Sequence, residues 1–503
     1  AMDSKDSDLE DNVLTPEKVK KVSTVSEQEE LKRQQILDTY NMKAVHDVIG
    51  QNEARPVNIT NFNFLGADEK FRTSFLKRQL EPIIKHLNDG GNKLTFSTLL
   101  QSIDDAHFNL IKTDTISNMG CQMGIPERQP LNLFNPDMLN VFVNMQVVPV
   151  KKFFMKIGTN VGNGEGDGYV KLQWKNIFGG GESLDLDTNL SSNDIKMQSS
   201  RSQYMVNFSS PIFNSPDYKF SSTFFHSLRT IDYTSFHSQS IEGVTLRVGT
   251  NHLPIENKLN HEVSFENMIR NIDLKSSLDP TVGAIRNNSL MTDYFLFNAG
   301  SSFKSSFTYS IMKDTREKKY IFDSGRYVRL SHELSLFSRN KFAKTSFDYS
   351  TAYRLTPDVL FNLNFKTGLL CPINGDLVHP MDKFQLGGAN DVKGWLMAGM
   401  GPKQMGMGVG GNYFHALGLN VFTSVPGYRE SNFKLHGFTN IGKLTNKVNV
   451  SNVLNDNCIS TGVGISFAHP MAAFELNWVV PVTSNSGDSL RRGLQWGIGI
   501  SFL

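Results

Sequence analysis

One cation, Lys393, stands inside the longest stretch of this 503-residue chain that does not alternate, Asp382–Pro402, reading DKFQLGGANDVKGWLMAGMGP. Val392 precedes the lysine and Gly394-Trp395 follows it. A glycine-rich connection of this length is usually functional or disordered. Phe384, Leu386, Val392, Trp395, Leu396 and Met400 argue for a packed segment. Bond-making chemistry is not visible. There is no G-x-S-x-G, no H-E-x-x-H and no Cys/His cluster at ligand spacing, and His415, His436 and His469 fall on separate strands and loops. Gly406, Gly408 and Gly411 match G-x-G-x-x-G without a strand before or a helix after, which excludes a dinucleotide site. Neither an enzyme nor a cofactor is expected.

Composition narrows the class further. A net charge of +2 with 20% charged residues points to neither nucleic acid nor an acidic partner. No window approaches the roughly 18 apolar residues of a membrane helix. The negative mean hydropathy does not exclude a β-barrel, because lipid-facing and lumenal residues cancel in an average. Cys121, Cys371 and Cys458 are too few and too scattered for a disulfide framework or a zinc site. The start is crowded with Asp3, Asp6, Asp8, Glu10 and Asp11 and carries neither an apolar signal core nor an arginine-rich presequence. Any membrane address is expected elsewhere in the chain.

Three segments follow from patterning. Residues 1–53 are polar and charge-mixed and read as a disordered tail, with a transient helix near Glu27–Val48. Residues 54–150 read as a small α+β module of order β-α-α-β-β. Its strands lie at Val57–Leu65, Thr115–Gly124 and Leu139–Val148. Its helices lie at Arg72–Leu87, with a possible kink at Pro82, and from an N-cap at Thr95. From residue 151 the chain alternates. Val170, Leu172 and Trp174 oppose Lys171, Gln173 and Lys175, and Phe361, Leu363 and Phe365 oppose Asn362, Asn364 and Lys366. A lipid-facing exterior and a polar lumen satisfy both faces at once. Sixteen strands are counted, the eighth over 293–314, with a short helix near 275–291. The fold class is therefore an all-β membrane protein, a sixteen-stranded antiparallel transmembrane β-barrel carrying one small N-terminal α+β domain. Since hydrocarbon cannot satisfy free strand edges, the first and last strands are expected to meet.

FQLGG…DVKGW…GMGP resembles the sixth-loop motif of the BamA-type outer-membrane insertase superfamily, whose usual core is hydrophobic-Arg-Gly-aromatic. GLNVFTSVP, SNFKLHGFTNIGKL, STGVGISFAHPMAAFELNWVVPVT and RRGLQWGIGISFL resemble its mitochondrial branch, the central barrels of the sorting and assembly machinery (SAM complex). The resemblance implies that the N-terminal module is a single POTRA domain in the intermembrane space. It implies that residues 378–411 form a loop folded into the lumen, with Val392, Lys393, Gly394 and Trp395 as its motif. Lys393 departs from the family's arginine, and a lysine lacks the planar fork for a bidentate contact. Family members meet the loop cation with the acid of an F-x-D motif on the thirteenth strand. Here that motif reads Phe438 and Asn440 and offers only an amide. Glu475, on the lumenal face of the fifteenth strand, is either a substitute acid or a solvated lumenal residue.

The seam draws attention independently. Gly497 and Gly499 lie on one face of the last strand, Gly158 lies on the first, and glycine weakens strand interiors. An opened edge is a template for another strand. The expected gate is Lys156, Ile157, Gly158, Thr159 and Asn160 against Gln495, Gly497, Gly499, Ile500 and Phe502. The pattern Gln495-x-Gly497-x-x-Ile500-x-Phe502 also fits the mitochondrial β-signal, which would supply the missing address. The expectation is an insertase of β-barrel precursors in the mitochondrial outer membrane, working through a lateral gate. Its partners would be precursor barrels, metaxin-like peripheral subunits, membrane lipid and a second barrel copy. A solute pore and a polypeptide-secreting transporter of the same superfamily are the alternatives.

Overall fold

The computed structural model describes residues 40, 43, 47, 49–66, 70–88, 94–126, 138–162, 165–192, 200–230, 236–274, 297–317, 321–373, 375, 378–404, 407–427, 431–447, 455–468 and 473–499. Residues 1–39 of the expected tail, the possible helix at 275–291, and Ile500 and Phe502 lie outside that set. The chain divides into two compact units.

The first unit is built on β1 (Val57–Leu65), β2 (Ile116–Gly124) and β3 (Leu139–Pro149), in spatial order β1-β3-β2 with β1 parallel to β3. Of the helices in this part of the chain, α1 (Thr73–Gln79) falls in the second unit, while α2 (Glu81–Asn88) and most of α3 (Phe96–Lys112) fall in the first. The element order is the one the periodicity predicts. The first helix is split, because Pro82 has no N–H to donate back along the chain and is tolerated only in the first turn of α2. The cap at Thr95 is present, its Oγ1 accepting from Thr98 N–H at 3.3 Å. Val57, Val141, Val143 and Met145 of the sheet pack against Leu80 and Ile83 and against Leu99, Ile103 and Ala106.

The second unit contains residues 70–79, 109–117 and everything from 148 onward, so two pieces of the expected N-terminal module belong with it. Its strands are β4 (Phe153–Gly162), β5 (Glu165–Lys175), β6 (Ser183–Ser192), β7 (Ser200–Pro211), β8 (Tyr218–Thr230), β9 (Phe236–Thr250), β10 (Asn260–Leu274), β11 (Gly300–Asp314), β12 (Arg326–Ser335), β13 (Phe342–Thr356) and β14 (Val359–Pro372). After a two-stranded ribbon, β15 (Lys403–Gln404) with β16 (Met407–Gly408), come β17 (Tyr413–Ser424), β18 (Phe433–Thr445), β19 (Cys458–Ala468), β20 (Ala473–Thr483) and β21 (Gly493–Gly499). Apart from the ribbon these form one sixteen-stranded antiparallel meander, β4 at one end and β21 at the other. The eighth strand begins at Gly300 rather than at 293. Among the described residues no ladder joins β4 to β21, and the end of the expected last strand, 500–503, lies outside the description, so whether the two strands meet is not tested.

Burial identifies the two faces. On β20, Leu476, Trp478, Val480 and Val482 are exposed, while Glu475, Asn477 and Val479 between them are buried. The same inversion recurs on β21, where Leu494 and Trp496 are exposed and Gln495 is buried. Apolar side chains outside and amides and carboxylates inside suit hydrocarbon around the sheet and a polar lumen within it. Trp478 is at the middle of β20, so Trp478→Arg is expected to destabilise the folded barrel by about 2–4 kcal/mol in bilayers. Denaturant titration in lipid vesicles checks this, and unchanged stability would mean that this face is not in lipid.

Candidate functional site: the lumenal loop and the seam

The loop between β14 and β17 packs on the polar face of the sheet. Val378, Phe384, Leu386, Val392, Trp395 and Met400 form one buried cluster with Phe342, Leu370, Ala416, Leu444 and Cys458 from β13, β14, β17, β18 and β19. The walls are shaped for this. A Cβ at Gly442 would lie 2.9 Å from Val392 Cγ2, so a glycine there admits the loop. Gly394 has φ +100°, and a Cβ on it would meet Ser460 Cβ at 3.2 Å. A side chain at Gly394 is thus opposed by both backbone conformation and the wall.

Lys393 is 1% exposed, and its Nζ stands 3.3 Å from Glu475 Oε2 and 4.9 Å from the Phe438 ring centroid. Glu475 also accepts from Asn477 Nδ2 at 2.8 Å, and His436 Nδ1 lies 3.7 Å from its other oxygen. His436 Nε2 and Asn420 Oδ1 are 3.0 Å apart. The two positions matched to the F-x-D motif, Phe438 and Asn440, therefore act differently here. Phe438 offers its ring face to the ammonium, worth about 0.5–2 kcal/mol. Asn440 donates to the backbone carbonyl of Asp391 at 3.3 Å and holds the loop rather than its cation.

A second charged contact, absent from the sequence reading, sits at the root of the loop. Buried Asp382 receives Arg270 Nη1 at 2.7 Å and Lys304 Nζ at 3.0 Å, and Lys304 also meets Glu333 at 2.6 Å. Lys344 Nζ donates to the Asp382 carbonyl at 2.8 Å. Polarity is thus reversed between the ends: a loop acid on wall cations at the root, a loop cation on a wall acid near the tip. Alternation alone marks Arg270, Lys304 and Lys344 as lumenal, but which acid they meet is not readable from sequence.

The loop tip also reaches the last strand. Gly394 N–H donates to Gln495 Oε1 at 3.3 Å, and Gln495 Nε2 donates to Arg491 O at 2.5 Å. Backbone bonds run from Arg491 N to Gly394 O (2.9 Å), Leu396 N to Ser489 O (3.0 Å) and Ser489 N to Gly399 O (2.9 Å). Gly401 N–H donates to Asp488 Oδ1 at 3.1 Å. The segment leading into β21 is therefore paired to the loop.

The remaining predicted residues occupy the two edges. Lys156 Nζ lies 5.7 Å from the Tyr169 ring centroid, and a Cβ at Gly158 would collide with that ring. Ile157 is exposed. Thr159 and Asn160 pair with Gly168 and Asp167 on β5, and their side chains lie outside the description. Gly497 faces Glu475 across the β20–β21 ladder, and Gly499 faces Ala473 at its end. The structure brings Val392, Lys393, Gly394, Trp395, Phe438, Asn440, Glu475 and Gln495 together, and among the described residues none of these contacts involves β4.

One cluster among the described residues has metal-ligand spacing, Asp217, His252 and Glu256. Lys112 Nζ already stands there, 2.7 Å from Asp217 and 2.6 Å from Glu256. Burial alone would lower the Lys112 pKa, but the two carboxylates reverse it and raise the pKa. An ammonium fills the place of a metal ion.

Residues 176–502 match the Omp85 superfamily domain. The chain belongs to the Omp85 superfamily. Within it the sequence is 27% identical over 480 residues to a SAM50-like protein of Schizosaccharomyces pombe, covering 92% of this chain and 94% of the relative. It is 34% identical over 221 residues to the sorting assembly machinery 50 kDa subunit of Saccharomyces cerevisiae, covering 41% and 45%. It is 26% identical over 379 residues to the human sorting and assembly machinery component 50 homolog, covering 72% and 75%. Among solved structures, BamA from Haemophilus ducreyi lacking POTRA domains 1–3 is similar with a TM-score of 0.64 at 14% identity, over 89% of this chain and 85% of that one. CdiB from Acinetobacter baumannii gives 0.52 at 11% identity, over 89% and 73%. This Omp85 member is a SAM50/BamA-type barrel.

Removing one partner of a buried ion pair leaves the other charge uncompensated, at a cost of about 3–5 kcal/mol. Lys393→Met is expected to destabilise the barrel by that amount, and Lys393→Met with Glu475→Leu to recover most of it. Unfolding in detergent micelles measures both. A double variant as unstable as the single one would place the cost in packing rather than charge.

Proposed function

We propose that this chain is an insertase of the mitochondrial outer membrane, which accepts the terminal strands of β-barrel precursors at the β4/β21 seam and releases them sideways into lipid. The observation that carries the reading is the absence, among the described residues, of a ladder between β4 and β21, in a barrel related to sorting and assembly subunits. Unpaired N–H and C=O groups on two edges can hydrogen-bond an incoming strand, and no nucleotide is required. The loop supports this reading over a solute pore, because buried side chains from it pack on the lumenal wall. Metaxin-like subunits, a second barrel copy and an N-terminal domain in the intermembrane space belong to the same proposal. So do the roles of Gln495, Gly497, Gly499, Ile500 and Phe502 as this chain's own β-signal.

Cysteine pairs scanned between residues 156–160 and 495–499 test the gate. Oxidation requires Cα atoms within roughly 7 Å. The gate reading expects that oxidised pairs stop assembly of a radiolabelled precursor and that reduction restores it, with bilayer conductance unchanged. An oxidised barrel that still assembles precursor contradicts the gate.

A further inference from the structure

Three turns at one end of the meander share an arrangement that neither the loop nor the seam uses. They join β5 to β6 (176–182), β7 to β8 (212–217) and β9 to β10 (251–259), and alternate turns of an antiparallel meander lie on the same side. Each is held by polar bonds to residues 70–79 or 109–117 of the same unit. Gly179 O accepts from Arg72 N–H, Asn214 O from Gln79 Nε2, and Asn251 Nδ2 donates to Lys112 O. Each nevertheless leaves a large apolar side chain in the open: Phe178 at 65%, Phe213 at 94% and Ile255 at 73% exposure. Phe213 is moreover left-handed, φ 50° and ψ 35°. Bulky residues avoid that conformation, so a firmly held turn presents this ring outward at a cost.

Charge follows the same division. Every acid in the three turns is met by an internal cation: Glu182 by Arg72 at 2.6 Å, Asp217 and Glu256 by Lys112 at 2.7 and 2.6 Å. Lys219 and Lys258, beside these tips, are exposed, as are Lys151 and Lys152 just before β4 at the same end. The outer rim is therefore apolar tips among cations, continuous with the exposed apolar side chains Trp174, Phe224 and Val248 of the adjoining strands.

We propose that this rim binds the membrane surface through phosphate-bearing anionic lipid, with Phe178, Phe213 and Ile255 at the headgroup–acyl boundary and Lys219 and Lys258 on the phosphates. Phenylalanine and aliphatic side chains of membrane-surface segments bury at that boundary, and lysines near it attract anionic lipid. The inference rests on the barrel spanning a membrane and not on the insertion reading. It places a lipid preference on one rim of the first seven strands, where it would hold the β4 side of the seam at a fixed depth.

The test uses the full chain in nanodiscs of phosphatidylcholine with and without phosphatidylglycerol. Phe178→Cys, Phe213→Cys and Ile255→Cys are made singly with Cys121→Ser and Cys371→Ser, keeping buried Cys458, and an environment-sensitive fluorophore is attached. Folding is checked by the heat-shifted band on semi-native gels. The proposal expects quenching by nitroxide at the top of the acyl chain and shielding from aqueous iodide at all three tips. Probes open to iodide overturn it. Probes shielded from iodide but untouched by the nitroxide also overturn it, in favour of a protein covering the rim. In the second arm Lys219→Gln with Lys258→Gln, the tips intact, is expected to lower the phosphatidylglycerol retained on purified barrel by about fivefold or more. Equal retention overturns the anionic preference.

Discussion

Hydrocarbon offers no partner to a backbone N–H or C=O, and each group left bare there costs several kcal/mol. That constraint dictates a sheet in which each strand answers its neighbour. Within the sixteen-stranded sheet every strand but β4 and β21 is paired on both sides, and those two end the sheet among the described residues. The pairing thus ends at the two terminal strands and nowhere in the middle of the wall. Gly158 lies on one of them and Gly497 and Gly499 on the other.

The lumenal loop is arranged around that place. Its root is fixed to β10 and β11 through Asp382, and its tip to β20 through Lys393. Apolar residues of similar volume would often stabilise as well as buried ion pairs do. What charges add is position: an ammonium with one buried acid in reach fits in one place, whereas a leucine tolerates a shift. From that fixed tip, Gly394 bonds Gln495 and the 488–491 backbone. The start of β21 is thus held from inside the lumen, and among the described residues β21 pairs with β20 alone. A terminal strand tethered at its start suits the exchange proposed for it.

Much of this was legible beforehand, and the limits have physical reasons. Strand number and borders followed from period-two alternation because the two faces meet such different surroundings. The eighth strand starts at Gly300, after described residues 297–299 where alternation has faded, and 293–296 lie outside the description. The helix at 72–87 was split by Pro82, whose missing N–H is visible in the sequence. Lys393 stands out as a lone cation in an apolar, glycine-rich loop, and the sequence leaves Glu475 as either its acid or a solvated lumenal residue. Asp382 with Arg270 and Lys304 could not be paired, since closing a barrel decides which distant strands share a loop. The bond between Gln495 and Gly394 escaped for the same reason: a turn motif and a terminal-strand motif, read separately, carry no sign that they touch.

The central claim is that β4 and β21 offer free edges to an incoming strand. Amide hydrogen exchange on the barrel in nanodiscs, with and without a peptide of the chain's own terminal-strand sequence, measures this directly. The account predicts that residues 153–158 and 493–499 exchange far faster than those of β12 and β13, and that the peptide slows exchange on β4 while leaving β12 and β13 unchanged. Protection at β4 and β21 equal to that of β12 and β13 without peptide, or slowing spread evenly around the wall, would contradict it.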